Sequence, residues 1–272
     1  MPELPEVETV VRGLREPLIG RIVQGVWTDW PKIIEGIDPY EFGVRLQGQR
    51  IEAVNRRAKY ILIQLTHDIL VVHLRMTGRL YVAQLRETFD ADKWLHLYLL
   101  LSGDRQLRFS EARKFGRVYL TDDIDAFTAK LGPEPLDDAF TLGVFRERIN
   151  GRKRVIKSLL LDQAFIAGVG NIYADEALHL AKIHPQKRAD ALSDDEIATL
   201  YEAIRTVLYN GIEYEGATIN WYRKPDGTQG DSQHHFHVYG REGQPCLVCG
   251  TMIEKIRVGQ RGTHFCPHCQ PA

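Results

Sequence analysis

The chain has 272 residues, of which 44% are hydrophobic and 26% charged, and its formal net charge is −1. The composition is that of a globular protein, and the length allows two domains with separate cores. No stretch approaches the roughly 18 apolar residues of a membrane helix, and acidic residues stand where a signal peptide would be basic. We therefore expect a cytoplasmic protein that makes no membrane contact. The near-zero charge excludes a chain that is basic throughout.

The first six residues read MPELPE and allow two interpretations. Early prolines and acidic residues, followed by apolar residues at helical spacing from Val7 to Leu14, predict the start of a helix. The same segment contains a potential nucleophile, because removal of Met1 would give Pro2 a free secondary amine. Such an amine has a pKa near ~8 and is partly unprotonated at neutral pH. From this segment alone, the plain helix start is the favoured interpretation.

Short β-rich runs follow, separated by Gly, Asp and Ser, and together they occupy the chain from Arg21 to about Leu120. Short strands at close intervals are typical of a β-sandwich or a barrel. We therefore predict an N-terminal β domain. Its clearest runs are Tyr60 to Leu65, Ile69 to Leu74, Leu95 to Leu101 and Arg117 to Leu120.

Two prolines and a glycine between Leu131 and Asp138 end this pattern, and helical periodicity follows. We place the domain boundary there. The predicted domains are residues 1–132, a helical domain over 133–235 and a C-terminal segment over 236–272.

Three features mark the helical half. The segment GVGNIY ends at Tyr173, which does not fit a dinucleotide fingerprint; it predicts a turn between two helices, with Asn171 capping the second and offering amides to a phosphate. The spacing of Ser193 and Glu196 predicts a capping box at the start of a helix. The stretch from Gly211 to Tyr239 is rich in Gly, Asp and Gln and predicts a long mobile loop.

Basic residues cluster between Arg146 and Lys157, a segment that contains six of them and only one acidic residue, Glu147. Such a bias suits phosphate binding. A solvated helix face would look the same, so the pattern alone leaves both interpretations open.

The cysteines form two close pairs in the last 27 residues, separated by sixteen residues. Two CxxC turns can supply four thiolates to one tetrahedral Zn2+, and in a reducing compartment this outcome is favoured over two disulfides. Four protein ligands leave no open coordination position, so the metal is expected to be structural. The predicted ligands are Cys246, Cys249, Cys266 and Cys269.

The segment between the cysteine pairs predicts a basic hairpin that carries Lys255, Arg257 and Arg261. Such a finger could contact nucleic acid. His264 and His268 lie close by, but four cysteines complete the ligand set, so we expect neither histidine to bind the metal.

Seven segments in family order resemble the formamidopyrimidine-DNA glycosylases, bacterial enzymes that remove oxidised purines such as 8-oxoguanine. The resemblance covers essentially the whole chain. It implies an α+β multidomain fold: an N-terminal β-sandwich with an N-terminal helix, a helix-two-turn-helix domain and a C-terminal zinc-ribbon hairpin. The segments are PELPE from Pro2, RRAKY from Arg56, HLRM from His73, RKFG from Arg113, LGPEPL from Leu131, GVGNIY from Gly168 and RGTHFCPHCQ from Arg261.

The resemblance also implies a bifunctional mechanism on a flipped-out nucleotide. Pro2 would be the nucleophile and Glu3 a proton donor. Lys59 matches the proton donor for β-elimination, although without the family a lysine leading a strand would be interpreted as an exposed charge. Arg261 matches the residue for δ-elimination, where phosphate clamping suits a guanidinium better than proton donation.

Further residues match positions that contact damaged double-stranded DNA. Met76, Arg113 and Phe115 match those that fill the space of the flipped base. In a generic β domain, by contrast, Met76 and Phe115 would be core residues. Arg152, Lys157 and Asn171 match phosphate-contacting positions.

Two positions depart from the family pattern. Trp94 stands where a DNA-contacting histidine is common, with His96 two residues on, and Glu111 stands where the family commonly has Asp. An aromatic side chain can still stack on a sugar or base, so the activity is expected to survive.

The resemblance implies a monomer with one structural Zn2+, associated with the bacterial nucleoid. Two alternatives remain open. One is the sister class, endonuclease VIII, which acts on oxidised pyrimidines. The other is a non-catalytic DNA-binding relative.

Overall fold

The computed structural model describes residues 1–272, which group into two compact units. The first contains Met1–Ala129 and Tyr214–Asp231; the second contains Lys130–Glu213 and Ser232–Ala272. The predicted partition had assigned residues 214–231 to the helical domain, whereas the structure groups them with the N-terminal unit. None of the helices has the length and apolar character needed to cross a bilayer.

The N-terminal unit contains two antiparallel four-stranded sheets, and the predicted β-sandwich is confirmed. One sheet has the order β1-β6-β7-β5 and the other β2-β3-β4-β8. Two short helices, α2 (Pro39–Leu46) and α3 (Ile124–Thr128), accompany them. The strands are β1 (Val23–Thr28), β2 (Ile51–Arg57), β3 (Tyr60–Leu65), β4 (Ile69–His73), β5 (Gly78–Gln84), β6 (Leu95–Leu101), β7 (Arg105–Glu111) and β8 (Arg117–Thr121).

The first helix, α1 (Leu4–Leu18), packs on β2, β3 and β5. Its apolar face is buried from Leu4 through Val11 to Leu18. Each fully buried aliphatic side chain stabilises the folded state by about 1.5–3 kcal/mol. The predicted helix is therefore confirmed, and its packing gives Pro2 and Glu3, directly before it, a rigid support.

The segment 214–231 has no helix or strand, as expected for a loop, yet parts of it are buried. Tyr222 belongs to the apolar core of the N-terminal unit, and its hydroxyl donates to the Glu215 carbonyl at 3.0 Å. Gly216 has φ +80°, and a Cβ there would lie 2.9 Å from Cγ of Glu6. The loop is thus attached to α1 where it begins.

The second unit consists of helices and one hairpin. Its helices are α4 (Leu142–Ile149), α5 (Ile156–Leu160), α6 (Asn171–Leu180) and α7 (Asp194–Glu213), and its strands are β9 (Glu254–Val258) and β10 (Arg261–Phe265).

The starts of two helices test the capping predictions. At α7, the Ser193 amide donates to Glu196 Oε2 at 2.8 Å and the Glu196 amide to Ser193 Oγ at 3.2 Å, which confirms the capping box. At α6, the predicted cap is wrong: Gly170 is the N-cap and Asn171 is the first helical residue. The Asn171 side chain instead donates to the carbonyl of Gly262 at 2.9 Å.

Candidate active site and nucleic-acid interface

Pro2 and Glu3 are buried at the start of α1, and Glu6 organises their surroundings. The Glu3 amide donates to Glu6 Oε2 at 2.8 Å, and the Ala217 amide donates to Glu6 Oε1 at 2.8 Å. One buried carboxylate therefore connects the N-terminus to the loop 214–231. Sequence reasoning had not assigned Glu6 a role, although its spacing from Glu3 is that of a capping box.

Lys59 lies in the tight turn between β2 and β3, next to Ala58 with φ 54°. Only 5% of Lys59 is exposed, so the alternative of a solvated surface charge is wrong.

His73 ends strand β4, in register with Tyr60 across the β3–β4 ladder. Burial lowers the pKa of His73 to about 3, and the positive charges of Arg75 and Lys59 add to this effect. The ring is therefore neutral at physiological pH and accepts a hydrogen bond from the Arg75 amide at 3.0 Å. The Lys59 ammonium thus has a neutral neighbour rather than a second cation.

Met76 and Phe115 are exposed, by 41% and 49% respectively, so the alternative in which they fill the core is wrong. The Arg113 guanidinium lies over the Phe115 ring, 4.8 Å from its centroid, as in a cation–π contact. The N-terminal unit therefore presents an apolar wedge, a ring and a cation to solvent. This combination suits insertion into an opened base stack.

Glu111 holds this group together from within the protein. Its fully buried carboxylate accepts hydrogen bonds from the Thr77 hydroxyl and from the amides of Phe115, Gly116 at 3.0 Å and Arg113 at 3.3 Å. One side chain thus links the residue after Met76 to the loop that carries Arg113 and Phe115. In the sequence this position was visible only as a departure from the family pattern.

Trp94 and His96 are placed differently from each other. Trp94 contacts Trp221 edge to face, with 5.3 Å between ring centroids, and Lys93 lies 4.1 Å above its ring. His96 is buried, and its Nδ1 lies 2.8 Å from Asp29 Oδ1. The Trp94 indole therefore contacts the loop 214–231. His96, in strand β6, contacts Asp29 instead.

A cavity of about 680 Å³ opens beside these residues within the N-terminal unit. Its walls combine rings with polar groups that can orient a planar heterocycle. The lining includes Thr77, Arg79, Phe89, Trp94, Trp221 and Arg223.

In the second unit, Arg261 is exposed and begins β10 directly after the hairpin turn. The following carbonyl, of Gly262, accepts from both Asn171 Nδ2 at 2.9 Å and Lys157 Nζ at 3.2 Å. The backbone beside Arg261 is therefore bound by Asn171 and Lys157, two residues that the sequence analysis singled out separately. Lys157 is fully buried there, with its ammonium 2.6 Å from Asp175 Oδ1.

The rest of the basic cluster is distributed over several local contacts. Arg148 donates to the carbonyls of Ala164 and Phe165, and Arg154 pairs with Asp162 at 2.5 Å. Arg152 is exposed and donates to the Arg148 carbonyl at 3.3 Å. Arg152 and Lys153 are thus exposed members of the cluster that can meet a phosphate, whereas Lys157 is buried.

The four cysteines converge, with all Sγ atoms within 4.8 Å of one another. A hydrogen bond from Thr251 lowers the pKa of Cys249 to about 6, while burial raises the pKa of Cys266. Four sulfurs at this spacing favour a cation that stabilises their thiolate forms, and the donor set fits tetrahedral Zn2+. The structural zinc site is confirmed; His264 instead faces Asp175, and His268 is exposed.

Helix α6 anchors the ribbon that carries these cysteines. Glu176 accepts from the amides of His237, Val238 and Tyr239 at 2.8–2.9 Å, and burial raises the pKa of its carboxyl. His179 Nε2 lies 3.6 Å from Sγ of Cys246. The zinc site therefore has supporting contacts from the helical part of the same unit.

Three family models match consecutive parts of the chain. They describe the formamidopyrimidine-DNA glycosylase N-terminal domain over residues 1–118, its H2TH domain over 131–223 and a zinc finger found in FPG and IleRS over 243–272.

Curated relatives match over nearly the full length. Formamidopyrimidine-DNA glycosylases of Herpetosiphon aurantiacus and Chloroflexus aurantiacus are 50% and 48% identical, over 99% of this chain and 100% and 98% of theirs.

Solved structures agree with these matches. MutM in complex with DNA containing carbocyclic 8-oxo-G has a TM-score of 0.92 at 38% identity, covering 100% of both chains. Lactococcus lactis Fpg in complex with DNA containing an abasic site has a TM-score of 0.91 at 36% identity, covering 99% of this chain and 100% of that one. Because these family models follow one another along the chain and relatives of 48–50% identity match nearly its full length, the chain belongs to the formamidopyrimidine-DNA glycosylase family and is a DNA repair glycosylase.

Proposed function

We propose that this glycosylase excises oxidised purines, 8-oxoguanine and formamidopyrimidines, from duplex DNA and then cleaves the strand as an abasic-site lyase. The observation that carries the proposal is the burial of Pro2 and Glu3 at the rigid start of α1, with Glu6 bonded to both Glu3 and Ala217. A nucleophile held this way loses little freedom when it reacts. It requires removal of Met1, because an acylated proline nitrogen is not nucleophilic.

In the first step the Pro2 nitrogen attacks C1′ of the flipped nucleotide, and the glycosidic bond breaks. Glu3 supplies a proton as the base leaves. The Pro2 nitrogen loses its proton, and the C1′–O4′ bond then breaks, with O4′ taking up a proton as the sugar ring opens. The nitrogen lone pair completes a cationic iminium at C1′, and a secondary amine has no second proton to lose in this step. The iminium makes the C2′ proton acidic, which prepares the strand for elimination.

In the second step the C2′ proton is removed and the C3′–O3′ bond breaks, with its electron pair leaving on the phosphate. Lys59 is the proposed proton donor to that phosphate. Its burial supports this role, since a partly desolvated ammonium binds an oxyanion more strongly than a solvated one.

In the third step loss of the C4′ proton to water is followed by cleavage of the C5′–O5′ bond, and the second phosphate leaves. We assign Arg261 to this phosphate. A guanidinium has a pKa above about 12 and is a poor acid, so its role is to clamp and stabilise the leaving group. Water then releases the sugar remnant from Pro2, leaving a gap of one nucleotide.

Each unit contributes residues that we propose to contact DNA. Met76 and Phe115 would occupy the opened base stack, and Arg113 would contact the base opposite the lesion. Arg152 and Asn171 would contact phosphates. The cavity beside Thr77 and Trp221 is the proposed site for the flipped base, because it joins aromatic walls to the guanidinium groups of Arg79 and Arg223.

Trapping with borohydride tests the mechanism. The enzyme is incubated with a duplex containing 8-oxoguanine opposite cytosine and then reduced, which converts the iminium to a stable amine and yields a covalent protein–DNA adduct. Wild type is expected to form the adduct and Pro2→Gly to lose it. Mass spectrometry of the N-terminus checks in the same samples that Met1 is absent. An undiminished adduct with Pro2→Gly would disprove the assignment.

The same trapping experiment on duplexes that contain an oxidised pyrimidine distinguishes a purine-specific enzyme from the sister class, endonuclease VIII. The full-length match to relatives named formamidopyrimidine-DNA glycosylase favours the purine activity. Faster trapping on the pyrimidine lesion would favour the endonuclease VIII activity instead. If neither lesion gave an adduct, the chain would be a non-catalytic DNA-binding relative.

We also propose that the enzyme acts as a monomer on nucleoid DNA in the bacterial cytoplasm, since the bifunctional mechanism needs residues of a single chain. Light scattering coupled to gel filtration at working concentration would reveal a dimer.

A further inference from the structure

Lys157 and Asp175 form an ion pair in which neither side chain is exposed to solvent, with Nζ 2.6 Å from Oδ1. Removing two charges from water costs several kcal/mol for each ion, so a buried pair is poor evidence for stability alone. It is better explained by a need for one defined local geometry. The contacts of this pair indicate which geometry that is.

Both partners bind the first residues of β10. Lys157 donates to Thr263 Oγ1 at 2.6 Å, and that hydroxyl donates to the carbonyl of Arg261 at 3.1 Å. Asp175 Oδ2 accepts from the amide of His264 at 2.9 Å. A continuous series of polar contacts therefore runs from the interior pair to the backbone of Arg261.

The other side of Arg261 is restrained by the hairpin turn. Gly259 and Gln260 have φ angles of 52° and 65°, which close a tight turn between β9 and β10. A Cβ on Gly259 would lie 2.6 Å from Ser158 Oγ, so the turn rests against α5. The backbone of Arg261 is thus held from both directions while its side chain remains exposed.

We propose that Asp175 is a positioning residue for the second elimination: it holds the Lys157 ammonium on Thr263 and thereby orients Arg261 towards the leaving phosphate. The inference rests on the proposed role of Arg261. Lys157 then acts on DNA indirectly, because its ammonium is occupied by Asp175, Thr263 and Gly262. Pro2, Glu3 and Lys59 belong to the other unit.

The prediction concerns the distribution of products. Without Asp175, base release and β-elimination should continue at rates within about twofold of wild type. The fraction of chains carried on to δ-elimination should fall by about tenfold or more, because misplacing a group by about 1 Å can reduce a rate by about 100-fold.

The experiment uses full-length enzyme and an abasic-site duplex labelled at its 5′ and 3′ ends, so that β and δ products separate on one gel. The variants are Asp175→Ala, Asp175→Asn and Thr263→Val, which removes only the connecting hydroxyl. Asp190→Asn is the matched control, because Asp190 forms a surface pair with Arg188 in the same unit. Zinc content and the thermal melt are measured for every variant.

Three outcomes are distinguishable. A lower δ fraction in Asp175→Ala and Thr263→Val, with β-elimination and zinc content retained, supports the inference. An unchanged δ fraction in folded Thr263→Val overturns it, even if the Asp175 variants do not fold. If wild type forms neither product and no borohydride adduct, the proposed function itself has failed, and the inference fails with it.

Discussion

The sandwich and the zinc ribbon hold functional residues in opposite ways. The N-terminal unit has a continuous apolar core of 26 buried residues, whereas the ribbon core consists of Val238, Cys246, Ile253 and Cys266. In the sandwich, the buried carboxylates of Glu6 and Glu111 accept mainly from backbone amides, and no metal is needed. In the second unit, the proposed support for Arg261 is an interior ion pair, and the ribbon carries a four-cysteine zinc site. A large core remains folded when one local contact is removed, whereas a core of four residues does not.

The largest expected effect, on DNA binding, comes from loss of the metal. Cys249→Ser should release zinc and weaken binding to an abasic duplex by about 100-fold or more, because the ribbon then has no sufficient core of its own. The sandwich should remain folded. All four tryptophans, Trp27, Trp30, Trp94 and Trp221, lie in the N-terminal unit, so their fluorescence melt reports on that unit alone.

An altered tryptophan melt in Cys249→Ser would contradict the independence of the two regions. Val248→Ser, at an exposed position between the same cysteines, is the matched control and should retain both zinc and affinity.

The pH dependence of the N-terminal unit tests the buried neutral histidine. The pKa of His73 is lowered in the folded state to about 3, so the folded state binds fewer protons than the unfolded state below pH 6.5. Its contribution to stability is therefore complete above pH 6.5 and is lost as pH falls from 6.5 towards 3. The loss should amount to a few kcal/mol, at most about 5.

Urea denaturation followed by tryptophan fluorescence between pH 3.5 and 7.5 measures this slope. His73→Gln should flatten it, since an amide keeps an acceptor for the Arg75 amide and does not titrate there. His67→Gln, at an exposed position in the neighbouring turn, should leave the slope as in wild type. An identical slope in His73→Gln and wild type would exclude His73 as its source.

Replacing Glu111 tests whether one carboxylate supports the exposed wedge. Glu111→Ala leaves the amides of Phe115 and Gly116 without their acceptor and should lower the free energy of unfolding by about 3 kcal/mol. Glu111→Asp should recover part of this loss. Equal urea midpoints for wild type and Glu111→Ala would contradict the role.

The smallest effect is expected at the start of α7. Ser193→Ala removes the acceptor for the Glu196 amide and should destabilise the second unit by about 1 kcal/mol, a typical value for an N-cap. Ser193→Asp should restore most of it. Helical circular dichroism during the thermal melt measures both, and a change in the tryptophan melt would show that the effect had reached the sandwich.

Features that depend on local pattern could be predicted from the amino-acid sequence alone. Strands β3, β4, β6 and β8, helix α1, the capping box at Ser193 and the zinc ligands followed from periodicity and spacing, because these are properties of neighbouring residues. The resemblance supplied the residues proposed for catalysis, Pro2, Glu3, Lys59 and Arg261, since motif order survives without coordinates.

Which distant side chains meet became visible only in the folded chain. It showed Lys59 and Lys157 to be buried, placed Asn171 on Gly262 rather than on its own helix, and grouped the loop 214–231 with the N-terminal unit. It also showed Glu6 and Glu111 accepting hydrogen bonds from backbone amides and Asp175 paired with Lys157. The physical reason is that a buried charge is tolerated only where partners from other segments surround it, and no local pattern in the sequence records those partners.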